Sequence, residues 1–584
     1  MNHKLPTPFL VIDFPNQQGV LQRRFFTHPR RIIDTHHIEE VQAALRTVKQ
    51  EVEKGAYAVG FLSYEAAPAF DPAYHVAAHP KLPLLWFGIF SSVQDIFEVP
   101  YRNEYQVSSW DPQISKEIYR EHFQQIKRAI SRGDTYQVNY TLRLRALFNG
   151  DDFAYYQFLR SAQQVNYSAY LNIGNYRILS LSPELFFELD GSTLTTRPMK
   201  GTSPRGHFCE EDVAQANWLQ QSEKNRAENV MIVDLLRNDL SRVAEVGTVR
   251  VERLFEIERY ATVHQMTSTV TAKLHAETSF IEVLSALFPS GSITGAPKIS
   301  TMKLISRLEQ TPREIYCGTI GLIEPNGHAT FNVAIRTMFI DQQTKVAQYS
   351  VGGGITWDSS VVSEYEEALT KATLLTKEQP TFKLLETLKL EDGDYAYFER
   401  HLNRLAASAR FFGIVVDLKK VRNILLEYAL QYKEDARRVR LLVSQTGQIE
   451  IESFTLQKLS DAIHVVTLAR RPISTKNVFL YHKTTQREVY ESHRMDHPDV
   501  FDVLLWNERK ELTEFTNGNV VVEIGGEKIT PARSCGLLAG TFREWLIEQN
   551  MISESVITLR DLKKGTRIWL INSVREWVQV EMKF

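Results

Sequence analysis

A polar, proline-containing segment at residues 377–382 divides this 584-residue chain into two parts that are each long enough to fold alone. It follows a strongly helical pattern, which is typical of a domain boundary. The length alone exceeds that of one ordinary domain. The sequence therefore predicts a first domain at 1–376, a linker at 377–382 and a second domain at 383–584.

The composition is that of an ordinary globular protein, with 43% hydrophobic and 24% charged residues. A net charge of -2 provides no basic surface for nucleic acid and no polybasic patch for a membrane. The sequence contains no signal-peptide core and no run of ~18 apolar residues. Its three cysteines lack metal-binding spacing. We expect a cytoplasmic protein that binds neither nucleic acid nor membrane.

Short strands alternate with helices in the first part. Apolar residues in 115–132 fall on one helical stripe, and 222–240 and 361–376 also have the pattern of helices. Strand-like alternation occupies 135–148, 167–174 and 176–182. Neither GxGxxG nor a phosphate-binding P-loop occurs. We predict a mixed α/β (α+β) domain with antiparallel sheets rather than a doubly wound parallel sheet.

Two of these predicted helices place acids on faces that also carry apolar residues. Glu228 shares a face with Ile232. In the other helix, Glu364, Glu367 and Lys371 form one stripe. Buried carboxylates are costly unless they are paired or bind a cation. A magnesium ion is one solution; spacing alone leaves a structural ion pair or a partly solvated face as the alternative.

Seven motifs follow one another in the first part: SPELF (182–186), PMKGT (198–202), RAENVMIVDLLRNDL (226–240), SITGAPK (292–298), FNVAIRT (331–337), VGGGI (351–355) and SEYEEALTK (363–371). In this order they resemble the chorismate-utilising enzymes, which include anthranilate, aminodeoxychorismate, isochorismate and salicylate synthases. The resemblance covers a chorismate-binding core at 115–375. Residues 1–100, with GFLSYEA at 60–66, resemble a reduced version of the family's N-terminal portion.

The resemblance implies a role for each residue that matches a motif. Glu228 and Glu367 are the expected magnesium ligands, with Glu364 a third acid nearby. Chorismate is a dianion, so its site needs basic side chains and backbone N–H groups. The implied substrate-binding residues are Gln137, His264, Thr294, Tyr316, Arg336, Gly352, Gly353, Gly354 and Lys371. For the glycines, a turn that requires φ > 0 is an alternative explanation, compatible with the same role.

Two positions distinguish reactions within this family. Water-adding members carry a lysine base where Gln137 stands, which disfavours isochorismate and salicylate chemistry. Anthranilate synthases usually have alanine where Lys200 stands, whereas a lysine resembles aminodeoxychorismate synthase. There the lysine attacks C2 of the ring as the C4 hydroxyl departs, and ammonia added at C4 expels it. Glu184 is the implied proton donor, so the pocket must lower the pKa of Lys200 and raise that of Glu184.

Ammonia in this family usually comes from a glutamine amidotransferase, whose nucleophilic cysteine lies in a G-x-C-x-G turn. The three cysteine contexts, HFCEE, IYCGT and RSCGL, do not match it. The chain is therefore expected to use a separate amidotransferase subunit or free ammonia, and the first is favoured.

The second part begins with ETLKLEDGDYAYFERHLNRLAASARFFGI (386–414), followed by YHKTTQREVY (481–490), LTEFTNGNVVV (512–522) and CGLLAGTFRE (535–544). It resembles the fold-type IV pyridoxal-phosphate enzymes, an α+β group that includes aminotransferases and aminodeoxychorismate lyase. Lys483 is implied as the Schiff-base lysine and Glu514 as the partner of the pyridine nitrogen. Arg404 and the backbone around Asn519, Gly540 and Thr541 are implied to hold the phosphate. LAGTF departs from the commoner L-P-G-I-T pattern, which leaves a hydroxyl contact to the phosphate open.

The fusion favours a lyase over an aminotransferase, because the product of the first domain would be the substrate of the second. Lys483 would remove the C4 proton, and loss of pyruvate would give 4-aminobenzoate. One alternative is an anthranilate synthase large subunit fused to an aminotransferase, which Lys200 disfavours. Another is a non-catalytic module that binds chorismate or a glutaminase. A homodimer through the second domain is a further expectation.

Overall fold

The computed structural model describes residues 5–97, 104–163, 165–376, 380–432, 435–459 and 464–583. The chain divides into two compact units. Unit 1 comprises Met1–Pro204 and Ala216–Gln379, and unit 2 comprises Arg205–Gln215 and Pro380–Phe584. Residues 377–379 of the predicted linker lie outside the described residues. Phe382, at its end, is buried in the core of unit 2.

The elements up to residue 376 are numbered in chain order. The strands are β1 Phe9–Pro15, β2 Leu21–Thr27, β3 Arg31–Thr35, β4 Tyr57–Leu62, β5 Leu85–Phe90, β6 Tyr105–Val107, β7 Asp111–Pro112, β8 Gln137–Gly150, β9 Tyr167–Asn172, β10 Tyr176–Ser182, β11 Leu185–Asp190, β12 Thr193–Arg197, β13 Met199–Pro204, β14 Arg250–Arg259, β15 Val263–Lys273, β16 Gly295–Ala296, β17 Thr319–Ile323, β18 Ala329–Asn332, β19 Thr337–Asp341 and β20 Val346–Ile355. The α-helices are α1 Ile38–Glu53, α2 Lys116–Ser131, α3 Asp152–Gln163, α4 Cys209–Gln221, α5 Glu223–Ser241, α6 Phe280–Leu287, α7 Lys298–Glu309 and α8 Val361–Ala372.

Unit 1 is built on two ten-stranded sheets, as the sequence predicts for a mixed domain with antiparallel sheets. One has the order β16-β8-β20-β19-β10-β9-β1-β2, with β6 and β7 on β8; the other has the order β13-β15-β12-β11-β18-β17-β4-β5-β3, with β14 on β15. A buried cluster joins their faces, with Ile12 and Ile178 from the first sheet and Phe61 and Leu322 from the second. Each such side chain stabilises the fold by roughly 1.5–3 kcal/mol.

The three helices predicted from the sequence are present, and a serine side chain caps each at its start. Ser115 accepts a hydrogen bond from the Ile118 N–H at the start of α2. Ser222 and Ser360 do the same for α5 and α8. A serine oxygen here satisfies one of the N–H groups that a helix leaves without a partner. These caps explain why α5 and α8, which carry the candidate acids, begin at those residues.

Unit 2 combines two sheets with helices. Its strands are β21 Leu384–Glu391, β22 Asp394–Tyr395, β23 Arg437–Val443, β24 Ile449–Thr455, β25 His464–Leu468, β26 Asp502–Trp506, β27 Leu512–Phe515, β28 Gly518–Ile524, β29 Glu527–Pro531, β30 Ser553–Ser555, β31 Arg567–Asn572 and β32 Glu576–Lys583. Its remaining helices are α9 Phe398–Phe412, α10 Leu418–Leu430, α11 Glu488–Met495, α12 Thr541–Glu548 and α13 Leu559–Leu562.

The smaller sheet of unit 2 has the order β22-β21-β23-β24, and its core contains Leu388, Leu405 and Leu425. The larger sheet has the order β27-β26-β25-β32-β31-β28-β29-β30, and a further pairing of β27 with β28 closes six of these strands into a ring. Across the described part of the chain, no helix is long and apolar enough to cross a membrane.

Candidate active sites in the two units

Lys200 lies in a bulge at the point where β13 pairs with β15. The pairing register shifts between Met199 and Thr202, so Lys200 and Gly201 together oppose a single residue of β15. Gly201 has a φ of +92°, and a Cβ on it would lie 3.1 Å from Asn225 Cβ. Bulges redirect side chains, and glycine is the residue that best tolerates this backbone. The Pro-Met-Lys-Gly-Thr motif therefore takes Lys200 out of the regular alternation of the strand.

Glu184 is fixed at the buried corner between β10 and β11. Its backbone N–H donates to Ser182 Oγ over 3.2 Å, and its carbonyl accepts from the Val333 N–H over 3.0 Å. The side-chain carboxyl accepts from the Ser292 hydroxyl and from the N–H of Met199, the neighbour of Lys200. Burial raises the pKa of Glu184 to about 7, although the nearby charge of Lys200 favours the ionised form.

The pocket also shifts the pKa of Lys200, in the opposite direction. Burial lowers it, against the negative charges of Glu184 and Glu228. The Asn229 side chain donates to the Lys200 carbonyl over 3.4 Å and accepts from Ser268 Oγ over 2.6 Å, which ties the bulge to α5. Both pKa values move in the directions that an acid and a nucleophilic amine require.

Three carboxylates gather near Lys200, but they are not equally buried. Burial raises the pKa values of Glu228 and Glu364, and Glu367 raises both further through its charge. For Glu367 the structure has the alternative that the spacing leaves open, an ion pair on a partly solvated face. Its side chain is 51% exposed and forms an ion pair with Lys371 at 2.8 Å. Of the residues of α8, only Ala368 is fully buried, and the preceding Glu367 lies on the solvent-exposed side of the helix.

Magnesium fits these acids only if most of its ligands come from water and substrate rather than from the protein. Among the described residues, no three His, Cys, Asp or Glu side chains form a metal-binding group. Magnesium usually binds one or two protein carboxylates and takes its other ligands from water and substrate. The charges of Glu367 and Glu228 raise the pKa of Glu364 by repulsion, and a bound cation would relieve that repulsion.

The glycine run at 352–354 lies in extended strand β20, paired with β8, so the alternative explanation of a turn with φ > 0 is wrong. Close approach is the reason for the glycines. A Cβ on Gly353 would lie 2.9 Å from Glu364 Oε2, and one on Gly354 would lie 2.0 Å from Gln137 Nε2. β20 pairs with β8 along residues 346–355, but it pairs with β19 only at residues 347–349. In residues 352–354, alternate N–H groups point away from β8 and are therefore suited to binding an anion.

Arg336 is a half-buried cation in unit 1. Its guanidinium lies 5.9 Å from the centroid of the Tyr260 ring, and its φ is +50°. Within the described residues no carboxylate forms an ion pair with it, and burial lowers its pKa. A buried charge is costly unless an opposite charge is nearby. A substrate carboxylate suits this position.

The other predicted substrate-binding residues are already engaged with protein groups to different extents. Lys371 Nζ donates to the Gly352 carbonyl over 2.8 Å, and the Thr294 hydroxyl donates to Ser290 O over 3.1 Å. The buried Tyr316 places its hydroxyl 3.3 Å from a Cβ built on Gly352. Gln137 and His264 are buried as well. Their contacts with substrate stay predictions.

Sequence reasoning missed Ser292 and Asn229. Both belong to motifs that were recognised, SITGAPK and RAENVMIVDLLRNDL, but their hydrogen bonds join residues distant in sequence. Ser292 contacts Glu184, and Asn229 holds the backbone of Lys200. Ser292 lies two residues before Thr294 and Asn229 directly follows Glu228, so closeness in sequence to a predicted site residue is the available signal.

In unit 2 the predicted cofactor residues meet in one place. A cavity of about 650 Å³ contains them in its wall: Arg404, Lys483, Glu514, Asn519, Gly540 and Thr541. The volume is within the range of small-molecule and cofactor sites. Basic residues that the sequence did not single out also line it: Arg438, Arg440, Arg487, Arg494 and Arg575.

Lys483 and Glu514 form a second pair with strongly shifted pKa values. Burial lowers the pKa of Lys483 to about 7, helped by the positive charges of Arg404 and Arg487. Burial raises the pKa of Glu514 to about 7, although its carboxylate accepts from the Tyr490 hydroxyl over 2.7 Å. Tyr490 was missed, although it ends the YHKTTQREVY motif.

The predicted phosphate-binding residues surround the loop that precedes α12, and their contacts with a phosphate stay predictions. The Asn519 side chain donates to Glu514 over 3.2 Å and to Leu538 O over 2.8 Å, so it bridges the acid to the loop that precedes α12. A Cβ on Gly540 would lie 2.2 Å from Asn519 Oδ1, which explains glycine there. Arg404 and Thr541 line the cavity near this loop. The set fits pyridoxal phosphate, because a lysine, an acid and a phosphate-binding arginine share one cavity.

The comparisons with known proteins agree with this division. Residues 91–377 match the family described as chorismate binding enzyme, and residues 383–582 match the family described as amino-transferase class IV. The chain therefore contains a domain of the chorismate-binding enzymes followed by a class IV amino-transferase domain.

Individual relatives resemble the first domain. Aminodeoxychorismate synthase component 1 of Klebsiella aerogenes is 43% identical over 264 residues, which cover 45% of this chain and 58% of the relative. The protein of the same name from Escherichia coli (strain K12) is 42% identical over 272 residues, covering 46% and 59%. The chain thus spans about three fifths of the length of these relatives. The crystal structure of anthranilate synthase component I from Streptococcus pneumoniae TIGR4 superposes with a TM-score of 0.52 at 26% identity, covering 65% of this chain and 94% of that one.

Proposed function

We propose that the chain makes 4-aminobenzoate in two steps, amination of chorismate at C4 in unit 1 and elimination of pyruvate in unit 2. The observation that carries the proposal is the pair formed by Lys200, whose pKa is lowered by burial, and Glu184, whose pKa is about 7. Gln137 occupies the position of the lysine base in water-adding relatives, which disfavours hydration. The likeness to aminodeoxychorismate synthase component 1 supports the same reaction.

In the first step the neutral amine of Lys200 attacks C2 of the ring. A C2–N bond forms, the two ring double bonds shift by one position and the C4–O bond breaks. Glu184 donates its proton to the departing hydroxyl, which leaves as water. Ammonia then bonds to C4, the double bonds shift back and the C2–N bond to Lys200 breaks. The Glu184 carboxylate accepts the proton that the added nitrogen releases.

The remaining groups of unit 1 bind and orient the substrate. Arg336 and the N–H groups of residues 352–354 would hold its carboxylates. Glu228 and Glu367, with Glu364 nearby, would hold magnesium. The ion would supply positive charge that anchors a substrate carboxylate and offsets its repulsion by these acids.

In the second step unit 2 acts on 4-amino-4-deoxychorismate. When bound, pyridoxal 5′-phosphate supplies an electron sink for charge at the carbon that bears the amine. Lys483, with a pKa of about 7, takes the proton from C4. The C3–O bond then breaks and a C3–C4 double bond forms. Enolpyruvate leaves and becomes pyruvate, and the ring becomes aromatic. Glu514 would keep the ring nitrogen of the cofactor protonated.

Partners and location complete the proposal. We infer that a separate glutamine amidotransferase subunit supplies ammonia, because none of the three cysteines of the chain lies in a nucleophile turn of that class. Co-purification and glutamine-dependent turnover with the cognate subunit test this inference. A homodimer through unit 2, testable by analytical ultracentrifugation, and a cytoplasmic location are further parts of the proposal.

The decisive experiment supplies chorismate, magnesium, ammonium and pyridoxal 5′-phosphate to the purified chain and identifies the products. We expect 4-aminobenzoate and pyruvate in equal amounts. In Lys483→Ala we expect 4-amino-4-deoxychorismate to accumulate, whereas Lys303→Ala, an exposed-lysine control, should behave like the wild type. Anthranilate as the product would refute the proposal and favour the anthranilate synthase alternative; no turnover would favour a binding module.

A further inference from the structure

Behind the phosphate ligands of unit 2 lies a buried chain of hydrogen bonds. Glu386 on β21 accepts from Arg404 Nε over 2.9 Å and from Arg404 Nη2 over 2.6 Å. Its Oε2 also lies 2.7 Å from His401 Nδ1. On the far side of the imidazole, His401 Nε2 lies 3.3 Å from the hydroxyl of Thr541, a residue of the cavity wall. Glu386, His401 and Thr541 are each at least 98% buried.

The chemistry of these groups determines the direction of each hydrogen bond. The charge of Arg404 and the hydrogen bonds from His401 and Arg404 lower the pKa of Glu386 to about 2, against the effect of burial, so this carboxylate accepts at neutral pH. His401 Nδ1 must therefore carry a hydrogen. Burial lowers the pKa of His401, so the ring is neutral and Nε2 has no hydrogen. Thr541 must then donate its hydroxyl hydrogen to His401.

This arrangement is unfavourable for a phosphate. With its hydrogen bonded to His401, Thr541 presents only oxygen lone pairs to the cavity, and these repel an anion. The positive charge of Arg404 is also balanced by Glu386, so the pair contributes little net charge toward a dianion. If His401 gains a proton, Nε2 becomes a donor to Thr541, and the hydroxyl hydrogen is released to point at the phosphate.

We propose that binding of the cofactor phosphate in unit 2 is coupled to uptake of one proton by His401, which reverses its hydrogen bond with Thr541. The proton comes from solvent, and the product is an imidazolium held between Glu386 and Thr541. The charged groups that act on His401 are Glu386 of β21, Arg404 of α9 and Lys483, with Glu544 of α12 acting on Arg404. His401 is thus a positioning residue that acts through Thr541.

The inference rests on the proposed binding of pyridoxal phosphate, and proton counting tests it separately from catalysis. The probe is pyridoxine 5′-phosphate, which has the phosphate but no aldehyde. The protein is the full chain with Lys483→Ala, which removes the proton exchange of that lysine. Calorimetric titration at pH 8 in two buffers with different ionisation enthalpies gives the number of protons taken up. At that pH a phosphate monoester, with a second pKa of about 6, is already a dianion.

We expect Lys483→Ala to take up close to one proton more per bound probe than Lys483→Ala/His401→Gln. The Kd of the first protein should rise by up to about tenfold per pH unit above pH 8, and that of the second should change less. Thr541→Val in the same background should also lose the extra proton while keeping the shape of the side chain. His493→Gln, a buried histidine of α11 outside the cavity wall, is the matched control and should keep it.

Equal proton counts in the background protein and in either folded variant would overturn the inference, whatever the affinities. Failure of the unsubstituted chain to bind pyridoxal 5′-phosphate would instead refute the proposed function of unit 2. Circular dichroism of each variant establishes folding. If His401→Gln does not fold, the Thr541→Val comparison decides alone.

Discussion

Replacing Glu184 with glutamine should slow amination of chorismate and at the same time stabilise unit 1 at alkaline pH. The substitution keeps the size of the side chain and its contact with Ser292 but removes the acidic proton. General acid catalysis contributes about 10²- to 10⁴-fold in rate, so a loss in that range is expected. With a pKa of about 7, the wild-type acid is half protonated at pH 7. Once Lys200 is fully neutral, loss of the Glu184 proton should lower the activity about tenfold per pH unit above pH 8, and Glu184→Gln should lack this decline.

The effect on stability has the opposite sign. Glu184 has a pKa of about 7 in the folded protein and a reference value of 4.5. Folding therefore favours the protonated form, and the free energy of unfolding falls as pH rises from about 4.5 to about 7. The difference of about 2.5 pKa units corresponds to about 3 kcal/mol, at 1.36 kcal/mol per unit. Glu184→Gln does not incur this loss.

The assay combines urea unfolding of unit 1 at pH 5 and pH 8 with initial rates of chorismate consumption, at a constant concentration of free ammonia. Glu366→Gln, on the exposed face of α8, is the matched control. Between pH 5 and pH 8 the free energy of unfolding of the wild type should fall by about 2.5 kcal/mol more than that of Glu184→Gln, because a small part of the loss occurs below pH 5. Parallel stability curves, or a Glu184→Gln variant with wild-type rates, would refute the reasoning.

Three further substitutions test the other parts of the two sites. Arg336→Met should raise the KM for chorismate by about tenfold or more. It should also raise the melting temperature of the substrate-free protein, because it removes a half-buried charge that has no carboxylate partner among the described residues. An unchanged KM would exclude Arg336 as a substrate ligand. Gly354→Ala places a Cβ 2.0 Å from Gln137 Nε2. It should destabilise unit 1 by about 1–3 kcal/mol, measured by urea unfolding, and lower kcat, measured by initial rates. Wild-type values for both would show that the close approach is unimportant. Glu514→Gln should weaken pyridoxal phosphate binding and slow pyruvate release from supplied 4-amino-4-deoxychorismate, because an amide does not balance a protonated ring nitrogen. Amination of chorismate should be unaffected. An unchanged affinity for the cofactor would contradict the pairing of Glu514 with the ring nitrogen.

The predicted site residues that the structure brings together lie in local motifs. Lys200 directly precedes Gly201, whose φ of +92° belongs to the bulge, so its neighbour in sequence helps to determine where it points. Lys483 and Glu514 likewise come from short motifs, and both line one cavity. The capped helices α2, α5 and α8 followed from periodicity and a serine at each start, which are also local signals.

The sequence does not predict contacts between residues that are distant in sequence, or which face of a helix packs against the protein. The approach of Gln137 to Gly354 depends on the pairing of β8 with β20, so a turn was an equally good explanation for the glycines. The exposure of Glu367 follows from how α8 packs, which its 3.6-residue stripe does not determine. The hydrogen bond between His401 and Glu386 joins residues 15 positions apart, and that between Thr541 and His401 joins residues 140 positions apart. No local pattern indicates such pairs.

The measurement that tests the account most directly is the separation of the two activities in Lys200→Ala. This variant should form little or no 4-amino-4-deoxychorismate from chorismate, magnesium and ammonium. It should convert supplied 4-amino-4-deoxychorismate to 4-aminobenzoate and pyruvate at the wild-type rate. Loss of both activities together in a folded variant, or amination of chorismate at the wild-type rate, would contradict the assignment of one reaction to each unit.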